Sequence, residues 1–120
     1  MAEKDCGQIH ADIEEAIRHA RQNLRCVDAE PYWGKKTGAM ANFGNVIGYQ
    51  TSDGLKRWRL DYDPIKGAHV NEEDHSVNPS RKVLHRIAPH FTKDYMVTLF
   101  WQKWTRRYNK PPWLIEREKS

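Results

Sequence analysis

The sequence predicts an α+β fold: a twisted antiparallel sheet of about four strands, with one helix before it and one after it. Three observations carry this expectation. Apolar residues recur at spacings of three and four between Ile9 and Leu24. Residues Leu55 to Asp63 alternate cleanly behind an Asp53-Gly54 turn signal. A segment beginning at Thr92 reads as a capped helix reaching about Tyr108.

The opening helix is expected from Ile9, Ile13, Ala16, Ile17, Ala20 and Leu24, which form one apolar stripe. Asp5 with Gln8 resembles a capping box, Gly7 is a mild local cost, and Pro31 ends any continuation. From Gly34 to Gly48 the chain reads as a loop that enters a short strand at Val46–Gln50. In Leu55–Asp63, the residues Trp58, Leu60 and Tyr62 face one way and Arg57, Arg59, Asp61 and Asp63 the other, before Pro64 stops the strand. A third short strand is expected at Gly67–Asn71, then a polar loop from Glu72 to Pro79. Val83–His90 reads as the fourth strand, with Val83, His85 and Ile87 on one face and Pro89 marking an edge or an end. The last helix carries Asp94 in its first turn and Lys103, Arg106 and Arg107 towards its end, each complementing the dipole, and Pro111-Pro112 closes it. The expected organisation is a single domain over 1–120: an acidic helical segment 1–32, a hairpin and sheet 44–91, a basic helix 92–110 and a tail 111–120.

Composition narrows the function classes. The 120 residues have room for one core, and 38% hydrophobic with 11% aromatic residues suits a folded chain. The longest apolar run, Tyr95 to Trp101, is far too short to span a membrane, so no membrane partner is expected. Met1 to Asp5 holds no apolar signal region, so a secretory signal is not expected, although a longer secreted precursor is compatible. Cys6 and Cys26 flank the expected helix, which places them about 30 Å apart as two reduced thiols, and neither sits in a CxxC motif. Charge is unevenly spread. Residues 1–32 hold four Lys/Arg against seven Asp/Glu, residues 33–79 six against six, and residues 80–120 ten against three. A basic end with Trp101, Trp104, Tyr108 and Trp113 suits a polyanion such as RNA, because cations neutralise phosphates and aromatic faces stack on bases. Taken alone, the same aromatics better suit a helix packed on a core.

The residues that suggest chemistry are those that metal-independent RNA cleavage needs. A base must take the ribose 2′-OH proton, an acid must protonate the leaving 5′-oxygen, and a cation must steady the phosphate. Arg57, Arg59, Lys66 and His69 supply these groups around one hairpin, and His69 is the first candidate because it lies between a turn glycine and a strand. His85 and His90 could converge with it, though His85 shares a face with Val83 and Ile87 as a core or edge residue does. Arg57 and Arg59 alternating with Asp61 and Asp63 equally describe cross-strand salt bridges. His69-Val70-Asn71-Glu72-Glu73-Asp74-His75 has donors for a divalent ion but no strong ligand spacing, and a solvated acidic turn reads the same way, so neither a metal site nor a cofactor is expected. His10 and His19 read as surface residues. No P-loop, dinucleotide glycine fingerprint, GxSxG motif or Cys-His dyad is expected.

The segment Gly48-Tyr49-Gln50-Thr51-Ser52-Asp53-Gly54, then Arg57-Trp58-Arg59-Leu60-Asp61-Tyr62-Asp63-Pro64, then Lys66-Gly67-Ala68-His69-Val70-Asn71, resembles the C-terminal toxin domains of bacterial polymorphic toxin systems of the contact-dependent inhibition and Rhs types. The resemblance covers about 30 of the 120 residues. It implies a small ribonuclease-like toxin of the barnase/EndoU/RelE-like broad type, with Arg57, Arg59, Asp61, Lys66, His69 and Asn71 at the matching positions. It further implies delivery as part of a larger secreted toxin, action in the target-cell cytoplasm, and a cognate immunity protein as partner. The acidic first helix and the Trp-rich basic last helix lie outside the pattern.

The function expected is therefore a metal-independent endoribonuclease toxin, monomeric when free. His69 is its base or acid, His85 or His90 the complement, Arg57, Arg59 and Lys66 the phosphate holders, and Lys103, Arg106 and Arg107 a wider RNA footprint. The alternative is a non-catalytic nucleic-acid or protein-binding module using the same basic surface. Burial of His69 with a hydrogen bond to backbone would favour that alternative. A metal-dependent nuclease centred on His69–His75 and the immunity side of a toxin system are further classes, the last disfavoured by the net charge of +4.

Overall fold

The computed structural model describes residues 3–25, 28–37 and 40–109. The fold is α+β, as expected, but the sheet has six strands rather than about four and is mixed rather than purely antiparallel. In chain order the elements are β1 (Lys4–His10), α1 (Ile13–Leu24), β2 (Glu30–Trp33), a single 3₁₀ turn (Met40–Asn42), β3 (Val46–Gln50), β4 (Lys56–Asp63), β5 (Gly67–Asp74), β6 (Arg81–Ile87), and a closing helix. That helix runs as α2 (Lys93–Met96), a π-helical stretch (Val97–Trp101) and α3 (Gln102–Tyr108). The sheet order is β1-β6-β5-β4-β3-β2. Strands β2 to β6 form an antiparallel meander, and β1 joins its far edge in parallel with β6.

The opening segment corrects the sequence reading. Residues 4–10 are strand, not the first turns of a helix, and Ile9 is 63% exposed rather than part of the apolar stripe. The helix begins only at Ile13, because Asp12, not Asp5, is the cap: its Oδ1 accepts from the Glu15 N–H at 2.7 Å. Asp5 instead pairs with Arg86 of the neighbouring strand at 2.7 Å. Cys6 therefore sits on β1, while Cys26 and Trp113 lie outside the described residues, as does the expected tail.

The hairpin reading holds. Gly54 takes φ +74° in the β3–β4 connection, and Gly67 takes φ +70° where the β4–β5 turn returns, conformations that favour glycine. Asp63 Oδ1 accepts from the Ile65 N–H at 2.8 Å and from the Lys66 N–H, which tightens that second turn. Strand β5 runs on to Asp74, through residues expected in a polar loop. Its carboxylates tolerate burial because each has partners. Glu72 accepts from Asn23 at 2.9 Å and pairs with Arg81 at 3.0 Å, Glu73 pairs with Arg59 and His75, and Asp74 accepts from Ser76.

Alternation gives the sheet two unlike faces. Trp58 and Leu60 of β4 and Val70 of β5 lie on the face covered by α1 and the closing helix, where Ile13, Ala16, Ala20, Leu24, Met96 and Trp101 complete the core. The Trp101 indole N–H donates to the Leu60 carbonyl at 3.0 Å, which satisfies a fully buried ring. Trp104 packs on Trp58 and Tyr49, and Tyr108 on Tyr49, so these helix aromatics are largely packing residues. The opposite face carries Arg57, Arg59, Asp61, His69, Asn71 and Glu73, aligned by the β4–β5 register, and neither helix packs on it.

Candidate functional site

The uncovered face holds a cleft of about 390 Å³ whose floor is Arg59 and Asp61 of β4 with His69 and Asn71 of β5. One wall is Tyr32 of β2 with Lys35, Thr37 and Asn42 of the following loop; the other is Asp63 and Lys66 of the β4–β5 turn with Glu3. The loop is drawn in at Gly34, where a Cβ would overlap the Asn42 carbonyl, so only glycine permits this approach. Gly34 N–H donates to the Asn45 carbonyl at 2.8 Å, and Gly44 N–H returns to the Gly34 carbonyl at 3.2 Å.

Asp61 is the hub of the floor. Its Oδ1 accepts from the Asn42 amide at 2.9 Å, its Oδ2 from the Asn71 amide at 3.0 Å, and Arg59 Nε stands 3.1 Å from Oδ2. Arg59 also reaches Glu73 at 3.3 Å. Burial pushes the Glu73 carboxyl up, but the Arg59 charge, the His75 hydrogen bond and the Arg57 and Lys82 charges outweigh it and hold the group below its ordinary value. Burial likewise pushes Asp63 up, and the N–H groups of Lys66 and Ile65 with the His69 and Lys66 charges bring it below the usual range. Lys66 Nζ lies 3.1 Å from Glu3 Oε1.

His69 is 3% exposed, and its Nδ1 lies 2.8 Å from the carbonyl oxygen of Gly67. A carbonyl can only accept, so Nδ1 carries the proton and donates. In the neutral form of the ring, Nε2 is then the lone-pair nitrogen; it makes no hydrogen bond to a described residue, and His69 is among the residues that line the cleft. The arrangement offers a fixed proton acceptor beside cationic and amide donors.

The structure brings Arg59, Lys66 and His69 together in this cleft, with Asp61 and Asn71 of the matching positions. Arg57 stands just outside: its guanidinium lies over the Tyr32 ring at 4.6 Å and donates to the Gly54 carbonyl at 2.9 Å. His85 does not join His69. It pairs in register with Val70, which turns it to the covered face, where it is 1% exposed and bonded to Glu72 at 2.8 Å. His90 is exposed, stacks on Phe91 at 4.2 Å between ring centroids, and is not part of the cleft lining. Lys103, Arg106 and Arg107 lie exposed on α3, in the helical layer across the sheet. His69 lies in β5 and His75 just past its end at Asp74, so a rise of about 3.3 Å per residue sets their backbones about 20 Å apart, too far for the two imidazoles to share an ion.

Tyr32, Lys35, Thr37 and Asn42 are the cleft residues that sequence reading missed. A Pro in β2 and a Gly-rich loop mask that stretch as a strand, and its place beside the cleft depends on the strand order. The chain matches no protein-family model and no curated protein.

Proposed function

We propose that the protein is a metal-independent endoribonuclease, with His69 as its base. The observation that carries the reading is that His69 lines one cleft together with Lys35, Arg59 and Lys66. In this reading Nε2 takes the 2′-OH proton, the ribose oxygen attacks the adjacent phosphorus, and the 5′-oxygen leaves with a 2′,3′-cyclic phosphate behind it. Lys35, Arg59 and Lys66 hold the phosphate oxygens, and the Asn42 and Asn71 amides position the floor. With His85 and His90 elsewhere, the leaving oxygen takes its proton from the Lys66 ammonium or the Tyr32 hydroxyl. The resemblance of residues 48–71 supplies the biological setting: a toxin delivered within a larger secreted protein, acting on RNA in the target-cell cytoplasm and neutralised by a cognate immunity protein.

A second reading, a non-catalytic binding module, is favoured by two observations. His69 is buried and bonded to backbone, and the cleft lining balances Lys35, Arg59 and Lys66 against Glu3, Asp61 and Asp63. One experiment separates the two readings. The purified protein is incubated with total bacterial RNA, with and without EDTA, beside a His69 variant. Discrete fragments that persist in EDTA and vanish in the variant support the nuclease. Intact RNA in every lane, with salt-sensitive retention of RNA, moves the assignment to the binding module.

A further inference from the structure

On the covered side of the sheet, where β1 meets β6 and α1, stands a cluster that RNA cleavage does not use. We infer that Cys6, His10 and His85 form a binding site for a zinc-class divalent ion. One ligand atom from each of the three lies within 4.8 Å of the others. The Cys6 sulfur is 3.7 Å from His10 Nε2. A tetrahedral zinc, with bonds of about 2.3 Å to sulfur and about 2.05 Å to nitrogen, holds such a pair about 3.6 Å apart, so these two need no rearrangement. The third donor has to close by no more than about 1.4 Å.

The hydrogen bonds to neighbouring carboxylates decide which nitrogen of each ring keeps its lone pair. His10 Nδ1 lies 3.2 Å from Glu15 Oε1, and His85 Nε2 lies 2.8 Å from Glu72 Oε1. Each carboxylate accepts the N–H of its ring, leaving His10 Nε2 and His85 Nδ1 as the basic nitrogens. A carboxylate behind each ligating imidazole is the outer-shell arrangement that orients and strengthens zinc-binding histidines. His85 Nδ1 is the independent sign of a missing partner: the residue is 1% exposed, and this atom is buried with no hydrogen bond. A buried nitrogen lone pair left bare is costly, and a cation satisfies it. His10 is fully buried, His19 packs edge-on against it at 4.7 Å between ring centroids, and Cys6 is half-buried, which opens the site towards the sheet edge. One thiolate and two imidazoles are a donor set suited to zinc rather than to calcium or magnesium. The Cys6 sulfur also lies 3.4 Å from the Gln8 carbonyl, a weak contact that metal binding replaces.

The structure corrects the sequence reading at His10, expected on the surface but fully buried, and at Cys6, expected to have no histidine partner but 3.7 Å from His10. The ion would tie β1, the edge strand, to β6, so its role is to hold the fold, not to act on RNA. The test is a Co²⁺ titration of the reduced, chelator-treated protein followed by absorption. The expected result is one equivalent bound, with a thiolate-to-cobalt charge-transfer band and the intense visible bands of tetrahedral cobalt. The charge-transfer band should disappear in Cys6→Ser and survive in Cys26→Ser. Binding should weaken at least about tenfold in His85→Gln and in the outer-shell variant Glu72→Gln. Absence of the band in the wild-type protein, or its persistence in Cys6→Ser, overturns the site. The wild-type spectrum decides even if a variant fails to fold. RNA cleavage in EDTA should be read well below the melting temperature of the metal-free protein, so that loss of this ion is not mistaken for loss of a catalytic one.

Discussion

His69→Asn removes Nε2, the proposed base, and offers an amide nitrogen in place of the Nδ1 that holds the backbone. In the wild-type protein Nδ1 donates to the Gly67 carbonyl at 2.8 Å, across the turn that starts β5. The asparagine amide branches from the same carbon, so its nitrogen can occupy the Nδ1 position and preserve a bond worth about 0.5–1.5 kcal/mol. His69→Ala loses that bond and also empties a site only 3% exposed, so it should cost about 2–4 kcal/mol of stability. Both variants lose Nε2. Removing a general base costs about 10²–10⁴ in rate, equivalent to about 3–5 kcal/mol of transition-state stabilisation. The assay is single-turnover cleavage of a labelled RNA in EDTA, beside urea unfolding of each protein. The expected outcome is that His69→Asn stays within about 1 kcal/mol of wild type in stability yet cleaves at least about a hundredfold more slowly. His69→Ala should be equally slow and clearly less stable. Cleavage by His69→Asn at the wild-type rate would refute the role of Nε2. A His69→Asn protein as unstable as His69→Ala would refute the structural role given to the Gly67 bond.

Three further outcomes follow from the same geometry. If the 2′-OH is the nucleophile, a DNA oligonucleotide with one ribose is cut only on the 3′ side of that ribose, and an all-DNA strand is left intact, as gel electrophoresis would read. Trp101→Ala should lower stability by about 3–5 kcal/mol in urea unfolding, because the indole is wholly buried, whereas Trp101→Phe should lose chiefly the bond to the Leu60 carbonyl, about 1 kcal/mol. Glu73, Asp63 and Asp74 all have folded-state values below their ordinary 4.5, 3.8 and 3.8. Their contribution is therefore complete above those values and is lost as pH falls through the lower folded ones. Thermal melts should show stability dropping on the acid side of about pH 4.5, with a shallower drop in Glu73→Gln.

Much of the covered face was legible because its signals are local. Trp58 and Leu60 alternate within one strand, Ile13, Ala16, Ala20 and Leu24 repeat within one helix, and Thr92 does cap the closing helix. Each of these patterns needs only neighbours a few residues away. Strand β1 left no such trace. Its residues are mostly exposed, and its pairing partner β6 lies some 80 residues further along the chain. The acids of β5 misled for a related reason: the Arg59, Arg81, His85 and Asn23 groups that make their burial tolerable come from other elements.

The sequence by itself determined the α+β class, the two hairpin turns, the closing helix, and the identity of Arg59, Lys66 and His69 as a group set on one face. Turn chemistry and the two periodicities are properties of short segments, so they survive without knowledge of the rest. Only the tertiary structure decided that β2 and its loop bring Tyr32, Lys35 and Asn42 to that group, that His85 turns away from it, and that His85 meets Cys6 and His10 instead. Those meetings depend on strand order and register, and a shift of one residue in register reverses the face on which a side chain stands.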